Sequence, residues 1–365
     1  MQKILAVSLT ALGDTLLCLP ALTALRRANP KADIRFAVPP TLKPLFTGHP
    51  LIDGVMAVSL PQGKNWEAIR SSGSLVRELR RFAPEIAFVF TCNRDILVPL
   101  LRAGGVRRVY MVPNRSRFRA LLSNTALVPS NDIDISEHGM EDRLRVIRAA
   151  GIEAVASPLD LPVRQEWVEE ASAWVKSRGL EDQHLVIFQV YTSLNVPKAG
   201  ELPGAKRRHW PRERYAKVAL ELIRRFPDVV VVATGSPDER PACEEMVDIA
   251  RDPRVVASAG ELSLPGVVGL LSMAKLLLTP DTGVMHLAHA IHMPTVCLYS
   301  LSDVHRTQRL DTEPPHRIVK RIPPDWPNSS REDIENCMIY ISVNEVVQAC
   351  VDVLEQALEQ GSSWD

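Results

Sequence analysis

Two aspartates stand where an apolar run gives way to a helical pattern. Asp14 lies in SLTALGDTL, soon after the apolar residues 4–7, and Asp281 lies in LLLTPDTGVMHL, just after residues 276–279. Both follow the carboxyl end of a predicted strand, the edge at which open α/β sheets bind ligands. A carboxylate there can act as a general base, or it can simply cap the helix that follows. For Asp14 the sequence leaves both roles open.

The helix that follows residue 280 has a start suited to an anion. Its apolar residues recur at i, i+3, i+4 and i+7, namely Val284, Leu287, Ala288 and Ile291. We predict Asp281 as the N-cap, with Thr282 and Gly283 in the first turn. Exposed amides, the positive end of the helix dipole, a hydroxyl and a residue without a side chain together suit a phosphate, and His286 lies one turn further on. An ordinary capped helix packed on a sheet is the alternative.

Two loops in the second half of the chain carry further candidates. Lys206 and Arg208 lie in KRRHWP, immediately before a helix for which Pro211 suits the first position. Because cations at a helix start oppose the helix dipole, they need another role. Phosphate binding is one hypothesis, and a solvated surface loop is the other. Glu239, in GSPDER after a strand, either bonds sugar hydroxyls or merely starts a helix.

Two other kinds of site are disfavoured. His286, His289 and His292 are three residues apart, but this spacing drifts around a helix and no matching cysteine or carboxylate accompanies it, so we predict no metal site. The first predicted turn lacks GxGxxG, and no acidic residue ends the second strand. Both features argue against a dinucleotide-dependent dehydrogenase.

Short apolar runs alternate with amphipathic segments, which is typical of doubly wound α/β domains with parallel sheets. Predicted strands cover residues 4–7, 34–38, 55–59, 86–91, 106–112, 126–128, 185–190, 229–233, 255–257, 276–279 and 295–299. Predicted helices cover residues 15–27 with a bend at Pro20, then 65–81, 94–102, 141–150, 165–178, 212–225, 240–251, 264–274, 281–293 and 343–358. Residues 301–336 are rich in prolines and charges, and we predict an irregular segment there.

The length of 365 residues suits two domains. We place them at residues 1–164 and 165–341, and we expect the helix in 342–365 to pack back toward the first domain. A cleft between two such domains is a favoured place for a ligand.

Composition excludes several classes of protein. Acidic and basic residues are equal in number, 43 each, which argues against a protein that coats nucleic acid. Six scattered cysteines without a CxxC pair are typical of buried thiols in a reducing compartment. No apolar run is long enough to span a membrane, and Asp14 interrupts the N-terminal stretch that imitates a secretory signal. We therefore predict a soluble, cytoplasmic protein.

Several stretches, in order along the chain, resemble glycosyltransferase family 9, the bacterial heptosyltransferases of lipopolysaccharide core synthesis. LAVSLTALGDTLLCLPALTALRRANPKADI resembles the opening of that family, and LLTPDTGVMHLAHAIHMPTVCLYS resembles its donor-site signature, D-[TS]-G-x-x-H-L-A. Further similar stretches are HGMEDRLRVIRAAGI, RHWPRERYAKVA, GELSLPGVVGLLSMAKLLLTPD and CMIYISVNEVVQAC. The resemblance spans nearly the whole chain.

This resemblance implies a GT-B fold, two Rossmann-like domains facing across a cleft. It implies an acceptor on the first domain, a nucleotide sugar on the second, usually ADP-L-glycero-D-manno-heptose, and inversion at the anomeric carbon without a metal or cofactor. By match, Asp14 is the general base, Gly13 lies on the acceptor side, and Arg208 occupies the place of the family's usual lysine, against the leaving diphosphate. The donor side is then predicted to comprise Thr192, Ser193, Lys206, Arg208, Glu239, Asp281, Thr282, Gly283 and His286.

The chain also departs from the family pattern. Ser8 stands where the first strand of the family usually ends in arginine, a change that bears on the anionic contacts of the acceptor. Residues 189–193 replace a loop that often reads P-G-A, although the hydroxyls of Thr192 and Ser193 can still face phosphate.

Three hypotheses follow for the activity. The first is an inverting glycosyltransferase that moves a heptose or related sugar to lipopolysaccharide core or another surface glycan, an activity that allows peripheral contact with the inner membrane. The second is a GT-B-like protein that binds a nucleotide sugar without turning it over. The third is a nucleotide-sugar epimerase. Asp14 favours the first hypothesis, because a binding module needs no base at that position.

Overall fold

A computed structural model of the chain describes residues 1–60, 73–92, 96–111, 125–127, 137–191 and 208–360. The chain divides into two compact units. The first unit comprises Met1–Leu159 and His305–Gln308, and the second comprises Asp160–Val304 and Arg309–Asp365. The sequence places the boundary after residue 164, a few residues later, and it gives no sign that a short segment near residue 306 belongs to the first unit.

The first unit contains one sheet with helices around it. Its strands are β1 (Lys3–Leu9), β2 (Asp33–Val38), β3 (Gly54–Ala57), β4 (Ile86–Cys92), β5 (Arg108–Met111) and β6 (Thr125–Leu127). Its helices are α1 (Leu12–Leu16), α2 (Leu19–Ala28), α3 (Lys43–Phe46), α4 (Gly73–Phe82), α5 (Leu97–Ala103) and α6 (Glu141–Arg148). The strand order is β3-β2-β1-β4-β5-β6, and every described pairing is parallel.

Strand β1 lies in the middle of this sheet and is buried on both faces. Its residues Ile4, Leu5, Ala6 and Val7 are all at most 1% exposed. A continuous apolar run, rather than an alternating one, is what a strand covered on both faces requires. Helix α1, which contains Asp14, begins shortly after this strand and so lies at the carboxyl edge of the sheet.

The first helix of the sequence prediction, residues 15–27, is two helices in the structure. Helix α1 ends at Leu16, and α2 begins at Leu19 with Pro20 in its first turn. Proline lacks an amide proton, so it is tolerated at a helix start better than inside a helix. Pro20 thus starts the second helix and does not bend a continuous one. The predicted helix at 65–81 is described only from residue 73 onward.

The second unit repeats the architecture. Its strands are β7 (His184–Gln189), β8 (Val229–Thr234), β9 (Val255–Ala257), β10 (Leu276–Pro280), β11 (Thr295–Tyr299) and β12 (His316–Lys320). Its helices are α7 (Gln165–Ser177), α8 (Arg212–Arg225), α9 (Arg240–Ala250), α10 (Leu264–Met273), α11 (Gly283–Ala290), α12 (Val304–Thr307, whose last three residues belong to the first unit), α13 (Arg331–Glu335) and α14 (Val343–Gln360). The order is β12-β11-β10-β7-β8-β9, again with parallel pairings.

One sequence prediction for this unit is wrong. Residues 301–336 are not wholly irregular, because β12 pairs in parallel with β11 at the edge of the sheet.

The expected contact of helix α14 with the first domain stays a prediction. Helix α14 packs on α8 and on strands β10, β11 and β12 of its own unit, where Val346, Cys350 and Leu354 join the hydrophobic core. Its amphipathic pattern predicts a buried face but does not identify the sheet that buries it.

Among the described residues, no helix is both long enough and apolar enough to cross a membrane.

Candidate active site

Asp14 lies inside the first helix and does not cap it. Ala11, in an extended conformation, is the N-cap of α1, and Asp14 is the third helical residue. The Asp14 carboxylate accepts a hydrogen bond at Oδ1 from Nη2 of Arg143, at 2.7 Å. The Asp14 side chain is 47% exposed, whereas that of Arg143 is 6% exposed. The carboxylate is therefore accessible while the guanidinium that holds it is buried.

Arg143 was not among the residues that the sequence marks as functional. It lies on α6, on the face that also carries Met140, Leu144 and Ile147, all of them buried. An arginine at an apolar position of an amphipathic helix can be recognised in the sequence. It predicts an ionic partner, because a buried charge requires one. The partner, Asp14, lies 129 residues earlier, so the chain itself does not identify it.

Hydroxyl groups join the end of β1 to helix α1, which contains Asp14. The Ser8 hydroxyl lies 3.0 Å from the Thr15 hydroxyl and 2.8 Å from the Thr91 hydroxyl, which in turn lies 2.9 Å from that of Thr10. Ser8 is fully buried. Where the family pattern has arginine, this chain thus has a small side chain that joins β1 to α1 and β4.

Gly13 and Cys18 lie on either side of Asp14 in the sequence, Gly13 in α1 and Cys18 at the N-cap of α2. Gly13 is buried in α1, and its carbonyl accepts the helical hydrogen bond from the Leu17 amide at 3.0 Å, so it belongs to the helix. The Cys18 thiol donates to the Asp14 carbonyl at 3.3 Å. Burial raises the pKa of this thiol to about 11, so it is neutral near pH 7.

The second turn lies between β10 and α11, and its cap is Thr282. The Thr282 hydroxyl accepts from the Met285 amide at 3.4 Å and lies 3.1 Å from the Thr279 hydroxyl. The prediction of Asp281 as the cap is therefore wrong by one residue. Gly283 is the first residue of the helix, and its place in the first turn agrees with the sequence analysis.

Asp281 instead forms an ion pair with Arg208. Nη2 of Arg208 lies 2.9 Å from Oδ2 of Asp281, and here the exposures are reversed, with Arg208 35% and Asp281 5% exposed. Two residues beyond Arg208, the fully buried Trp210 donates from Nε1 to the Ile341 carbonyl at 3.1 Å. Since Pro211 is the N-cap of α8, the start of this helix and a buried indole fix the backbone near Arg208.

The Glu239 side chain caps the start of a helical segment. Its Oε2 accepts from the Ser236 amide at 2.7 Å in a capping box, and the side chain is buried. Gln189, at the end of β7, donates from Nε2 to the Tyr191 carbonyl at 2.6 Å and lies 3.4 Å from Glu239 Oε2. These contacts fit the helix-start alternative. They place Glu239 at the same edge of the sheet as Asp281 but do not test a contact with sugar.

Three predicted donor residues, Thr192, Ser193 and Lys206, lie outside the described part of the chain.

The three histidines of the donor motif have different surroundings. His286 and His289 are buried on α11, with ring centroids 6.1 Å apart. Burial, helped by the neighbouring His286, lowers the pKa of His289 well below its usual value, so its ring is neutral near pH 7. His292 lies beyond the helix at φ +55°, where its ring lies 3.2 Å from an Asp311 carboxylate oxygen. Within the described ranges, no three metal-ligating side chains gather into a cluster.

The two units therefore offer complementary chemistry. At the carboxyl end of β1, an accessible carboxylate can take a proton. At the carboxyl end of β10, a guanidinium next to the N-terminus of an eight-residue helix can hold an anion, because both the cation and the helix dipole favour negative charge.

Solved structures share the fold of this chain. A glycosyltransferase of family 9 from Veillonella parvula matches with a TM-score of 0.77 at 21% identity, over 97% of this chain and 98% of that one. E. coli ADP-heptose lipopolysaccharide heptosyltransferase II matches equally well at 20% identity, over 97% of this chain and 99% of that one. The fold is that of a GT-B glycosyltransferase.

The sequence comparison identifies the family. The model of glycosyltransferase family 9 (heptosyltransferase) matches residues 120–338, and the chain belongs to that family. This range contains the described donor-side residues but not Asp14. Lipopolysaccharide heptosyltransferase 2 of E. coli is 26% identical over 314 residues, covering 82% of this chain and 83% of the relative. The enzyme of the same name from Salmonella typhimurium is 25% identical over 309 residues, with the same coverage.

Proposed function

We propose that this glycosyltransferase moves a heptose, or a related sugar, from a nucleotide sugar to a lipopolysaccharide-core or other surface-glycan acceptor, with inversion at the anomeric carbon. The observation that carries the proposal is the accessible carboxylate of Asp14, which forms an ion pair with the buried Arg143. ADP-heptose is the proposed donor. Support for the sugar and acceptor classes comes from the names of the relatives, which are lipopolysaccharide heptosyltransferases.

Asp14 is the proposed general base. Arg143 occupies Oδ1, so the other oxygen, Oδ2, takes the proton of the acceptor hydroxyl. The hydroxyl oxygen then forms a bond to the anomeric carbon as the bond from that carbon to the diphosphate breaks. The electron pair of the broken bond leaves with the diphosphate. A single displacement of this kind inverts the anomeric centre.

The second unit is proposed to hold the donor by its diphosphate. Arg208 presents a partly exposed guanidinium, and the α11 amides after Thr282 add partial positive charge. Both interact more strongly with the diphosphate as its charge grows in the transition state, which is the kind of interaction that accelerates a reaction. These groups supply the charge that a divalent cation would otherwise provide, so we propose a reaction independent of metal and cofactor.

His286 and Glu239 complete the proposed donor side, together with Thr192, Ser193 and Lys206. Ser8 is committed to a network of hydroxyls and adds no charge toward an acceptor, so we propose that other residues bind anionic groups of the acceptor. A cytoplasmic location and peripheral contact with the inner membrane stay predictions.

Acceptor-dependent release of nucleoside diphosphate tests the proposal. The purified protein is first screened by thermal shift against ADP-, UDP-, GDP- and dTDP-linked sugars, because a ligand that binds the folded state raises the melting temperature. We expect ADP-heptose to give the largest shift. We then expect free ADP only when a heptose-deficient lipopolysaccharide acceptor is added, with one sugar transferred for each ADP released.

Other outcomes would overturn the proposal in distinguishable ways. Binding without ADP release in the presence of any acceptor would indicate a non-catalytic binding protein. Conversion of the donor sugar to its epimer, without acceptor, would indicate an epimerase. A thermal shift largest with a UDP-linked sugar would contradict the proposed donor while leaving transfer itself to be judged by product formation.

A further inference from the structure

A network of alternating charges surrounds the start of α6 in the first unit. It consists of Asp14, Arg143, Asp142, Arg306, Arg145 and Glu137. Besides its 2.7 Å contact with Asp14, Arg143 places Nη1 3.6 Å from Oδ2 of Asp142. That same oxygen of Asp142 accepts from Nη2 of Arg306 at 2.6 Å. Three cations and three carboxylates balance one another, and Arg143 is the most buried charged side chain of the six.

The position of Arg143 is strongly determined by its surroundings. The hydrocarbon part of its side chain lies on the buried face of α6, and Nη1 also donates to the Gly139 carbonyl at 2.6 Å. Asp14, by contrast, is half exposed and would have several rotamers available without a partner. A single charge-assisted hydrogen bond from a fixed donor is enough to select one of them.

Backbone contacts fix the far end of the network. The Gly139 amide donates to the Arg306 carbonyl at 2.9 Å, and a Cβ on Gly139 would lie only 2.8 Å from that oxygen. His138 Nε2 lies 2.8 Å from the Gln308 carbonyl, and Arg306 Nη1 donates to the Glu137 carbonyl at 3.3 Å. The segment His305–Gln308 is thus attached to the loop before α6, and Arg306 points its guanidinium at Asp142.

We propose that Arg143, held in place by Asp142 and Arg306, is a positioning residue for the Asp14 base. The inference rests on the proposed function, since it concerns the same carboxylate. Arg143 fixes Oδ1 and thereby directs Oδ2 toward solvent, where the acceptor hydroxyl must arrive.

The second carboxylate in contact with Arg143 has a role of its own. When Asp14 takes the acceptor proton it becomes neutral, and a buried arginine with that single partner would be left uncompensated at high cost. Asp142 keeps Arg143 paired throughout the reaction. Arg306 in turn pairs with Asp142 and holds its carboxylate next to Arg143. The network therefore lets the charge of Asp14 change without disturbing the position of its donor.

A double-mutant cycle between Arg143→Met and Asp14→Asn tests the inference. In the wild-type background we expect Arg143→Met to lower kcat by about 10- to 100-fold, because a charge-assisted hydrogen bond to the base is lost. The KM for the donor should change less than twofold. In the Asp14→Asn background, where no carboxylate is left to position, the same substitution should have almost no further effect on the residual rate.

Two further variants complete the design. Arg143→Lys retains the charge and should recover part of the lost kcat. The matched control is Arg148→Met, which removes an exposed arginine of the same helix that pairs with Glu141. This control should leave kcat unchanged. If Arg143→Met does not fold, Arg306→Gln at the outer end of the network takes its place. We expect it to lower kcat about 3- to 10-fold in the wild-type background and not in the Asp14→Asn background.

The outcomes separate this inference from the proposed function. Equal losses from Arg143→Met in both backgrounds, or a loss that appears mainly in donor KM, would assign Arg143 a purely structural role. No loss of kcat from Arg143→Met or Arg306→Gln, with Asp14→Asn inactive, would overturn the inference and leave the base intact. Full activity of Asp14→Asn would overturn both.

Discussion

The two units each contain an arginine–aspartate pair at the carboxyl edge of their sheet, and the two pairs are built in opposite senses. In the first unit the carboxylate of Asp14 is accessible and the guanidinium of Arg143 is buried. In the second unit the carboxylate of Asp281 is buried and the guanidinium of Arg208 is partly exposed. The N–O distances, 2.7 and 2.9 Å, are nearly equal.

This difference indicates which member of each pair is accessible to a substrate. A buried ion pair is weak evidence for a stabilising role, because removing two charges from water offsets their attraction. A pair with one exposed member can instead present that member in a fixed orientation. By this reasoning we propose that the first unit presents a base and the second presents a cation for an anion, while Arg143 and Asp281 hold their partners in position.

Removal of the exposed cation should have the largest effect on donor binding. We expect Arg208→Ala to weaken ADP binding about 10- to 100-fold, since charge-assisted contacts to the diphosphate are lost. Titration calorimetry with ADP measures this directly. Arg208→Lys should recover only part of the affinity, because an ammonium is a point charge and cannot form two parallel hydrogen bonds.

A matched control lies on α8. Arg224 is 67% exposed and pairs with Glu221 on the surface of the same unit. Arg224→Ala should leave ADP binding unchanged. If it weakens binding as much as Arg208→Ala does, the effect is one of overall charge, and the distinction between the two kinds of pair has no basis.

Removal of the buried carboxylate should have a smaller effect. We expect Asp281→Asn to weaken ADP binding about 3- to 10-fold, because Arg208 loses the charged partner that orients it. The same titration applies. Tighter ADP binding by this variant would be the opposite result, and it would mean that Asp281 competes with the diphosphate for Arg208 and does not position it.

The helix cap should have the smallest effect. We expect Thr282→Val to lower the free energy of unfolding by about 1 kcal/mol, because the Met285 amide loses the side chain that caps α11. ADP binding should fall by only about two- to fivefold, since the backbone amides stay in place. Thr282→Ser keeps the hydroxyl and serves as the control. A loss of binding as large as that of Arg208→Ala would show that the cap, and not the cation, dominates the site.

The elements around these sites follow closely from the sequence. Helix α8 and strands β9 and β11 have the predicted bounds of residues 212–225, 255–257 and 295–299. Their apolar patterns are unambiguous because each is bounded by a proline, a charge or a turn. Strand β12 was not predicted because it lies at the edge of its sheet, where two of its five side chains, Arg317 and Lys320, are charged and exposed.

The candidate site was predictable only in part. Asp14, Asp281, Thr282 and Gly283 stand next to clear changes of period, so their place at a sheet edge can be derived from the sequence. Whether Asp281 or Thr282 caps α11 depends on side-chain geometry, since both residue types are good caps. The partners of the two aspartates depend on tertiary structure. Nothing in the chain order indicates that a residue of α6 meets one of α1.

Asp14→Asn provides the most direct test of the central claim, that the exposed member of the first pair is the base of a transfer reaction. Turnover of ADP-heptose with acceptor and the affinity for ADP are measured on the same preparation. We predict that turnover falls by about 10²- to 10⁴-fold, the range expected when a general base is lost, while the Kd for ADP stays within about twofold of wild type. Unchanged turnover, or an equal loss of turnover and of ADP binding, would contradict the account.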